Sequence, residues 1–149
     1  MAETDDMRDR AADALLALIP LYHKNVIRLR PPITGIQLAQ IHTLGILMKN
    51  ESLTMSEIGS RLYISRPYMT RLADAMIADG LVERRQDPGD RRVIKLAITD
   101  KGKKYLRQSL TWFKNDLKKN LTGLNDNDVE KLCTALEDTY RIFSKLQEG

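Results

Sequence analysis

Two short runs of this sequence carry side chains suited to holding a polyanion. The first is Ser65-Arg66-Pro67-Tyr68-Met69-Thr70-Arg71. If it is helical, Met69, Leu72, Ala73 and Met76 share one side, while Pro67, Thr70, Arg71 and Asp74 face away, flanked by Arg66 and Tyr68. Arginine can bond guanine through two parallel hydrogen bonds, and threonine or tyrosine can meet a phosphate or a thymine methyl, so this face suits a DNA major groove. The second run is Asp90-Arg91-Arg92, which follows the turn formers Asp87-Pro88-Gly89. Arginine on a narrow projection can enter a minor groove, where the potential is most negative over A·T tracts. Asp90 is then expected to orient one of these arginines by a charge-assisted hydrogen bond. Arg84, Arg85 and Lys95 flank the turn and could meet phosphates.

Each feature has a plainer reading, either an amphipathic surface helix or a solvated hairpin whose charges discourage edge pairing. The distribution of charge bears on that choice. The 149-residue chain has a net charge of +4, yet residues 61–107 hold 12 Lys and Arg against 6 Asp and Glu, and the segments on either side are each slightly acidic. A basic centre implies a polyanionic partner met by the middle of the chain.

Other chemistry finds little support. There is no Gly-rich phosphate loop, no nucleophile in a recognisable motif and no HExxH, so no catalytic residues are expected. The single cysteine, Cys133, excludes an intramolecular disulfide and a Cys-rich zinc site. It falls on an apolar helical stripe and is expected to be a small buried hydrophobe rather than a redox sensor. His23 and His42 lie on different predicted helices without ligands at metal spacing, so no metal is expected. Tyr22, His23, Arg30 and His42 belong to segments that could line an effector cleft, although a packed interface explains them as well. No apolar run spans a bilayer and the first nine residues are acidic and polar, which points to a cytoplasmic protein.

The elements that must position these residues can be read from periodicity and caps. Residues 10–29 show an apolar stripe (Ala12, Leu15, Leu16, Ile19, Tyr22, Val26, Leu29), with a kink expected at Pro20 and an end at Pro31-Pro32. Thr34 and Gln37 fit a capping box opening a second helix, with Leu38, Ile41, Leu44, Leu47 and Met48 inward. Thr54 and Glu57 open a short third helix, about Met55 to Leu62. Ser65 caps a fourth, which tolerates Pro67 in its first turn and stops at Gly80. Two β-type segments around the Pro-Gly turn make a hairpin, Thr99 caps a fifth helix, and Asn125 or Asp126 opens a sixth. In the fifth, Leu106, Leu110, Phe113, Leu117 and Leu121 point inward; in the sixth, Val129, Leu132, Cys133, Leu136, Tyr140 and Phe143 form the stripe. The fold class is mainly α with a small β-hairpin wing, a winged helix-turn-helix. The long apolar stripes at both ends need something to bury against, and a second copy is the simplest solution; the division expected is an N-terminal dimerisation helix at 1–35, a DNA-binding lobe at 36–99 and C-terminal dimerisation helices at 100–149.

The stretch from Ser56 to Leu106 resembles the DNA-binding lobe of regulators of the multiple antibiotic resistance regulator (MarR) family. The family's wing signature, D-x-R, five residues, then L-T, reads here as Asp90, Arg91, Arg92, residues 93–97, Ile98 and Thr99, with isoleucine in place of leucine. The family's G-L-V-x-R segment is Gly80, Leu81, Val82, Glu83 and Arg84. The resemblance implies a DNA-binding transcription regulator, more often a repressor, that works as a homodimer on a pseudo-palindromic operator. It implies that residues 65–71 form the recognition helix and that Arg92 reaches the minor groove. It also implies regulation by a small anionic or phenolic ligand, or by an oxidant; the cysteine of the peroxide-sensing branch lies near the N-terminus, where this chain has none. The rival reading is a winged-helix module that docks a protein and does not bind DNA.

Overall fold

The structure is a computed structural model that describes residues 2–27 and 35–147. It divides into two units, one of Met1–Ile27 with Asn115–Gly149, the other of Arg28–Lys114.

The second unit is a winged-helix lobe. Helix α2 (Gly35–Met48) leads to the two-residue strand β1 (Leu53–Thr54), then α3 (Met55–Leu62) and α4 (Arg66–Ala78). Strands β2 (Val82–Gln86) and β3 (Ile94–Ile98) form the wing, and α5 (Asp100–Leu121) begins within this unit. The sheet is antiparallel in the order β1-β3-β2, with Leu53 opposite Leu96 and Arg85 opposite Lys95. Strand β1 makes the expected hairpin three-stranded; two residues are too few to show an alternating pattern.

Local chemistry sets these boundaries. The Glu57 N–H donates to Thr54 Oγ1 (3.2 Å) while Glu57 Oε2 accepts from the Thr54 N–H (2.7 Å), closing the capping box at α3. At α4 the Tyr68 N–H donates to Ser65 Oγ (3.4 Å). Gly80 takes the left-handed conformation (φ 70°) just past α4. The Thr99 hydroxyl accepts from the Gly102 N–H (3.0 Å) and donates to the Gly80 carbonyl (2.7 Å), so one side chain caps α5 and ties it to the turn before β2.

Ile41, Leu44, Leu47, Ile58, Met69, Leu72, Met76, Leu96 and Leu106 form one buried cluster within the lobe. Burying each such side chain is worth about 1.5–3 kcal/mol, so this cluster sets the posture of α4 and the wing. Met48, expected inward, is half exposed. Gly102 and Leu106 of α5 are buried, so the lobe continues beyond residue 99 into that helix.

In the other unit, α1 (Ala2–Tyr22) passes into a π-helical turn (His23–Ile27), and α6 (Asp126–Ser144) ends in a 3-10 turn (Lys145–Gln147). Helix α1 starts eight residues before the apolar stripe predicts. Acidic residues there favour a helix N-terminus, and Asp6 and Arg10 stand at the supportive i, i+4 spacing. Pro20 lies inside α1, and the hydrogen-bond ladder widens to π three residues later. Asn125 caps α6 by accepting from the Asp128 N–H (2.9 Å). The Thr34–Gln37 box and the stop at Pro31-Pro32 fall on or next to residues outside those described.

Helix α6 has no buried residue within the single chain. Cys133 is exposed, which corrects the expectation of a buried small hydrophobe. Its stripe is apolar, but among the described residues it is covered only in part, with Val129 and Leu132 half-buried. Leu110 and Leu121 of α5 and Leu136, Tyr140 and Phe143 of α6, all expected inward, are exposed for the same reason.

Candidate nucleic-acid interface

Helix α4 presents its polar face as the periodicity requires. Met69, Leu72, Ala73 and Met76 are buried, while Ser65, Arg66, Pro67, Thr70 and Arg71 are exposed. Tyr68 differs from its expected role. Its ring is half-buried against the lobe core, and the Arg71 guanidinium lies 5.8 Å from the ring centroid. Tyr68 therefore serves as a platform that holds Arg71 outward. The Thr70 hydroxyl donates to the Arg66 carbonyl (3.0 Å), which commits its proton.

The wing is ordered chiefly by Asp87. Its Oδ1 accepts from the N–H groups of Gly89 (2.9 Å) and Asp90 (3.1 Å), and its carboxylate forms an ion pair with Lys95 on β3. The Lys95 partnership and the two N–H donors hold the Asp87 carboxyl below the usual carboxylate range. Asp90 does not bond an arginine side chain, as the sequence suggests. Its Oδ1 accepts from the backbone N–H of Arg92 (2.9 Å), an Asx-type turn that fixes the backbone and leaves both guanidinium groups outward.

The basic residues assigned to DNA by sequence sort into two groups. Arg84 pairs with Asp74 of α4 (3.0 Å), Arg85 with Glu83 (2.7 Å) and Lys95 with Asp87. The three residues assigned to phosphates are thus neutralised within the chain. Asp74 and Arg84 also join α4 to the wing strand. Arg66, Arg71, Arg91 and Arg92 are exposed and, among the described residues, belong to no ion pair. Of the cations singled out by sequence for DNA, the four outside any ion pair among the described residues therefore sit on α4 and the wing tip.

Asp87 gives a pH test. Its folded carboxyl titrates below the usual range, so its hold on the wing is complete at neutral pH. That hold is lost only as pH falls through the lowered folded value. The Gly89 and Asp90 amide NMR signals should shift in acid below the usual carboxylate range; a midpoint within that range would show that Asp87 does not organise the turn. Asp87→Ala should loosen the wing and weaken DNA binding by about 5-fold, since disorder must then be removed on binding.

The residues weighed for an effector site are separated by unit. His42 is exposed and lines a cavity of about 430 Å³ with Leu38, Ala39, Leu62, Ile64, Ser65, Tyr68 and Arg71. Tyr22 and His23 are exposed residues of the other unit, and Arg30 lies outside the described residues. Sequence reasoning missed Arg71 and Tyr68 as walls of this cavity, although their i, i+3 spacing is visible. Among the described residues no cluster of His, Cys, Asp or Glu could hold a metal ion, and no helix is long and apolar enough to cross a membrane.

Comparison with known proteins bears on this arrangement. The sequence model of the MarR family matches residues 34–93, which include α2, α3, α4 and β2. The chain is 32% identical over 122 residues to the HTH-type transcriptional repressor MdtR of Bacillus subtilis, covering 77% of this chain and 79% of that protein. It is also 32% identical over 100 residues to the transcriptional repressor MprA of Escherichia coli, where the match covers 67% of this chain but only 55% of the relative. Among solved structures, wild-type MarR of E. coli superposes with a TM-score of 0.61 at 24% identity, covering 93% of this chain and 96% of that one. The YusO protein of B. subtilis gives 0.63 at 24% identity, covering 92% and 96%. These two share the fold. With the winged-helix lobe, the family match and the similarity to MdtR over more than three quarters of both chains taken together, the chain belongs to the MarR family.

Proposed function

We propose that this protein is a sequence-specific double-stranded DNA-binding transcription regulator that acts as a homodimeric repressor. The observation that carries the reading is the placement of charge: among the described residues four arginines on α4 and the wing tip belong to no ion pair, while Arg84, Arg85 and Lys95 of the strands are paired within the chain. Keeping cations unpaired on two projecting elements suits a phosphate-lined partner that releases counterions on binding.

The dimer rests on the terminal helices. Leu16, Leu136, Tyr140 and Leu146 are 64%, 59%, 74% and 75% exposed in one chain. Apolar surface on that scale favours a second copy related by a two-fold axis. Two copies of α4 would then enter successive major grooves about 34–36 Å apart, and the operator would be a pseudo-palindrome. Repression follows the names of the relatives MdtR and MprA. A cytoplasmic location follows from the DNA partner. The cavity beside Arg71, Tyr68 and His42 suits a small anionic or phenolic effector, which acts only if it binds the DNA-competent and released forms unequally.

The test is fluorescence anisotropy with the duplex upstream of the protein's own gene and a scrambled duplex, over a series of salt concentrations. Tighter binding to the native duplex, with log affinity falling steeply against log salt, is the expected result. Failure to bind any duplex at low salt would sink the reading and favour a protein-docking module.

A further inference from the structure

The end of α3 carries a tyrosine where backbone geometry asks for glycine. Tyr63 has φ 54° and ψ 40°, and among the described residues it is the one non-glycine with positive φ. In this left-handed region Cβ crowds the following carbonyl, so bulky residues are disfavoured there. The chain solves the same problem at the end of α4 with Gly80, at φ 70°. Packing gives no return for the strain at Tyr63, because the residue is 96% exposed. Among the described residues its hydroxyl has no hydrogen-bond partner.

What surrounds the ring suggests why it is kept. Tyr63 lines an open groove of about 720 Å³ between α3 and the first turns of α4. Ser56, Ser60, Arg66 and Thr70 contribute to the walls, and no acidic side chain does. The Ser56 and Ser60 hydroxyls beside an unpaired guanidinium, with no carboxylate in the lining, match the needs of a phosphate oxygen.

We infer that Tyr63 is a DNA-contacting residue whose phenol donates a hydrogen bond to a backbone phosphate beside the groove that α4 enters. This rests on the DNA-binding reading above and supplies a phosphate anchor other than the neutralised Arg84, Arg85 and Lys95. The left-handed turn aims the side chain away from the lobe core, and an uncharged donor positions the duplex without adding to its electrostatic capture. Contacts to phosphate fix register and carry no direct sequence information.

The experiment uses the full-length protein and its Tyr63→Phe and Tyr63→Gly variants, with the native upstream and scrambled duplexes in a salt series and thermal unfolding in parallel. Tyr63→Phe should lose about 10- to 100-fold in affinity for both duplexes, as expected for a hydrogen bond to a charged group. Its preference between duplexes and its salt slope should not change, because a phenol releases no counterion. Its Tm should match that of the parent. Tyr63→Gly relieves the strain and should raise Tm by about 2–4 °C while losing at least as much affinity. Stability and affinity moving in opposite directions is a signature that a structural tyrosine cannot give. Parent-like binding by Tyr63→Phe would overturn the proposal, as would a changed preference between duplexes, which would make Tyr63 a base reader. A lowered Tm in Tyr63→Gly would also overturn it by showing that the ring supports the fold. If the parent protein binds neither duplex, the DNA-binding reading itself fails, a result that needs no variant to detect.

Discussion

Arg92→Ala should weaken binding to the operator by about 10- to 100-fold for each wing that engages the duplex, the worth of one charge-assisted hydrogen bond of about 1.5–3 kcal/mol. It should also lower the slope of log affinity against log salt by about 1 for each phosphate that the side chain no longer neutralises. The fold should not change. The Arg92 side chain is exposed, and the interaction that orders this residue is its backbone N–H donating to Asp90 Oδ1, which alanine preserves. Thermal unfolding and sedimentation of the variant should therefore match the parent, and anisotropy should carry the whole effect. Arg84→Ala is the informative contrast. Arg84 is already paired with Asp74, so DNA would have to compete for it, and its removal should cost well under about 10-fold. Equal losses for the two variants would show that the pairing does not decide which arginines bind. Unchanged affinity in Arg92→Ala would remove the wing tip from the interface.

That contrast marks where the sequence stops being legible. The caps at Thr54, Ser65 and Thr99 could be read in advance, and that of α6 to within the choice of Asn125 or Asp126, because each is a hydrogen bond across three residues governed by local backbone geometry. The face of α4 followed from period alone. The fate of the strand cations did not. Whether Arg84 is free depends on α4 bringing Asp74 to β2, and whether Lys95 is free depends on the turn folding Asp87 back over β3. These are choices of tertiary partner that composition leaves open. Asp90 shows the same limit at shorter range: a carboxylate between turn residues and two arginines can bond side chain or backbone, and the backbone N–H two residues on is held closer. Cys133 shows another. Periodicity identifies an apolar face but not what covers it, and along α6 no described residue is buried within the single chain. Tyr63 went unnoticed because a left-handed φ at a tyrosine has no signature in sequence; only the missing glycine after a short helix hints at it.

The largest effect on stability should come from Gly102→Ala. Gly102 sits in the first turn of α5, buried, with its N–H donating to Thr99 Oγ1 (3.0 Å). A Cβ there would overlap the Leu81 carbonyl oxygen and approach Ile98 Cγ1 to 3.0 Å. The obstacle is backbone, and it cannot swing aside, because the same carbonyl accepts from the Thr99 N–H (3.1 Å). Helix propensity alone would make the substitution favourable by about 1 kcal/mol, so the two effects oppose each other. Prising α5 from the turn before β2 should cost about 2–4 kcal/mol, which exceeds the gain and lowers Tm by about 4–10 °C. Gly45→Ala in α2, where a Cβ meets nothing within 4 Å, should instead stabilise by about 0.5–1 kcal/mol. Opposite signs for one substitution at two helical glycines isolate the steric cause. The lesion also has a functional reading: Leu81 lies between Gly80, which follows α4, and Val82, which begins β2, so a shift there alters the angle between α4 and the wing. Gly102→Ala should therefore weaken DNA binding at temperatures where the protein remains folded. A variant as stable as its parent would mean that α5 can slide on the lobe, and the two DNA-facing elements would then not be held rigidly by this packing.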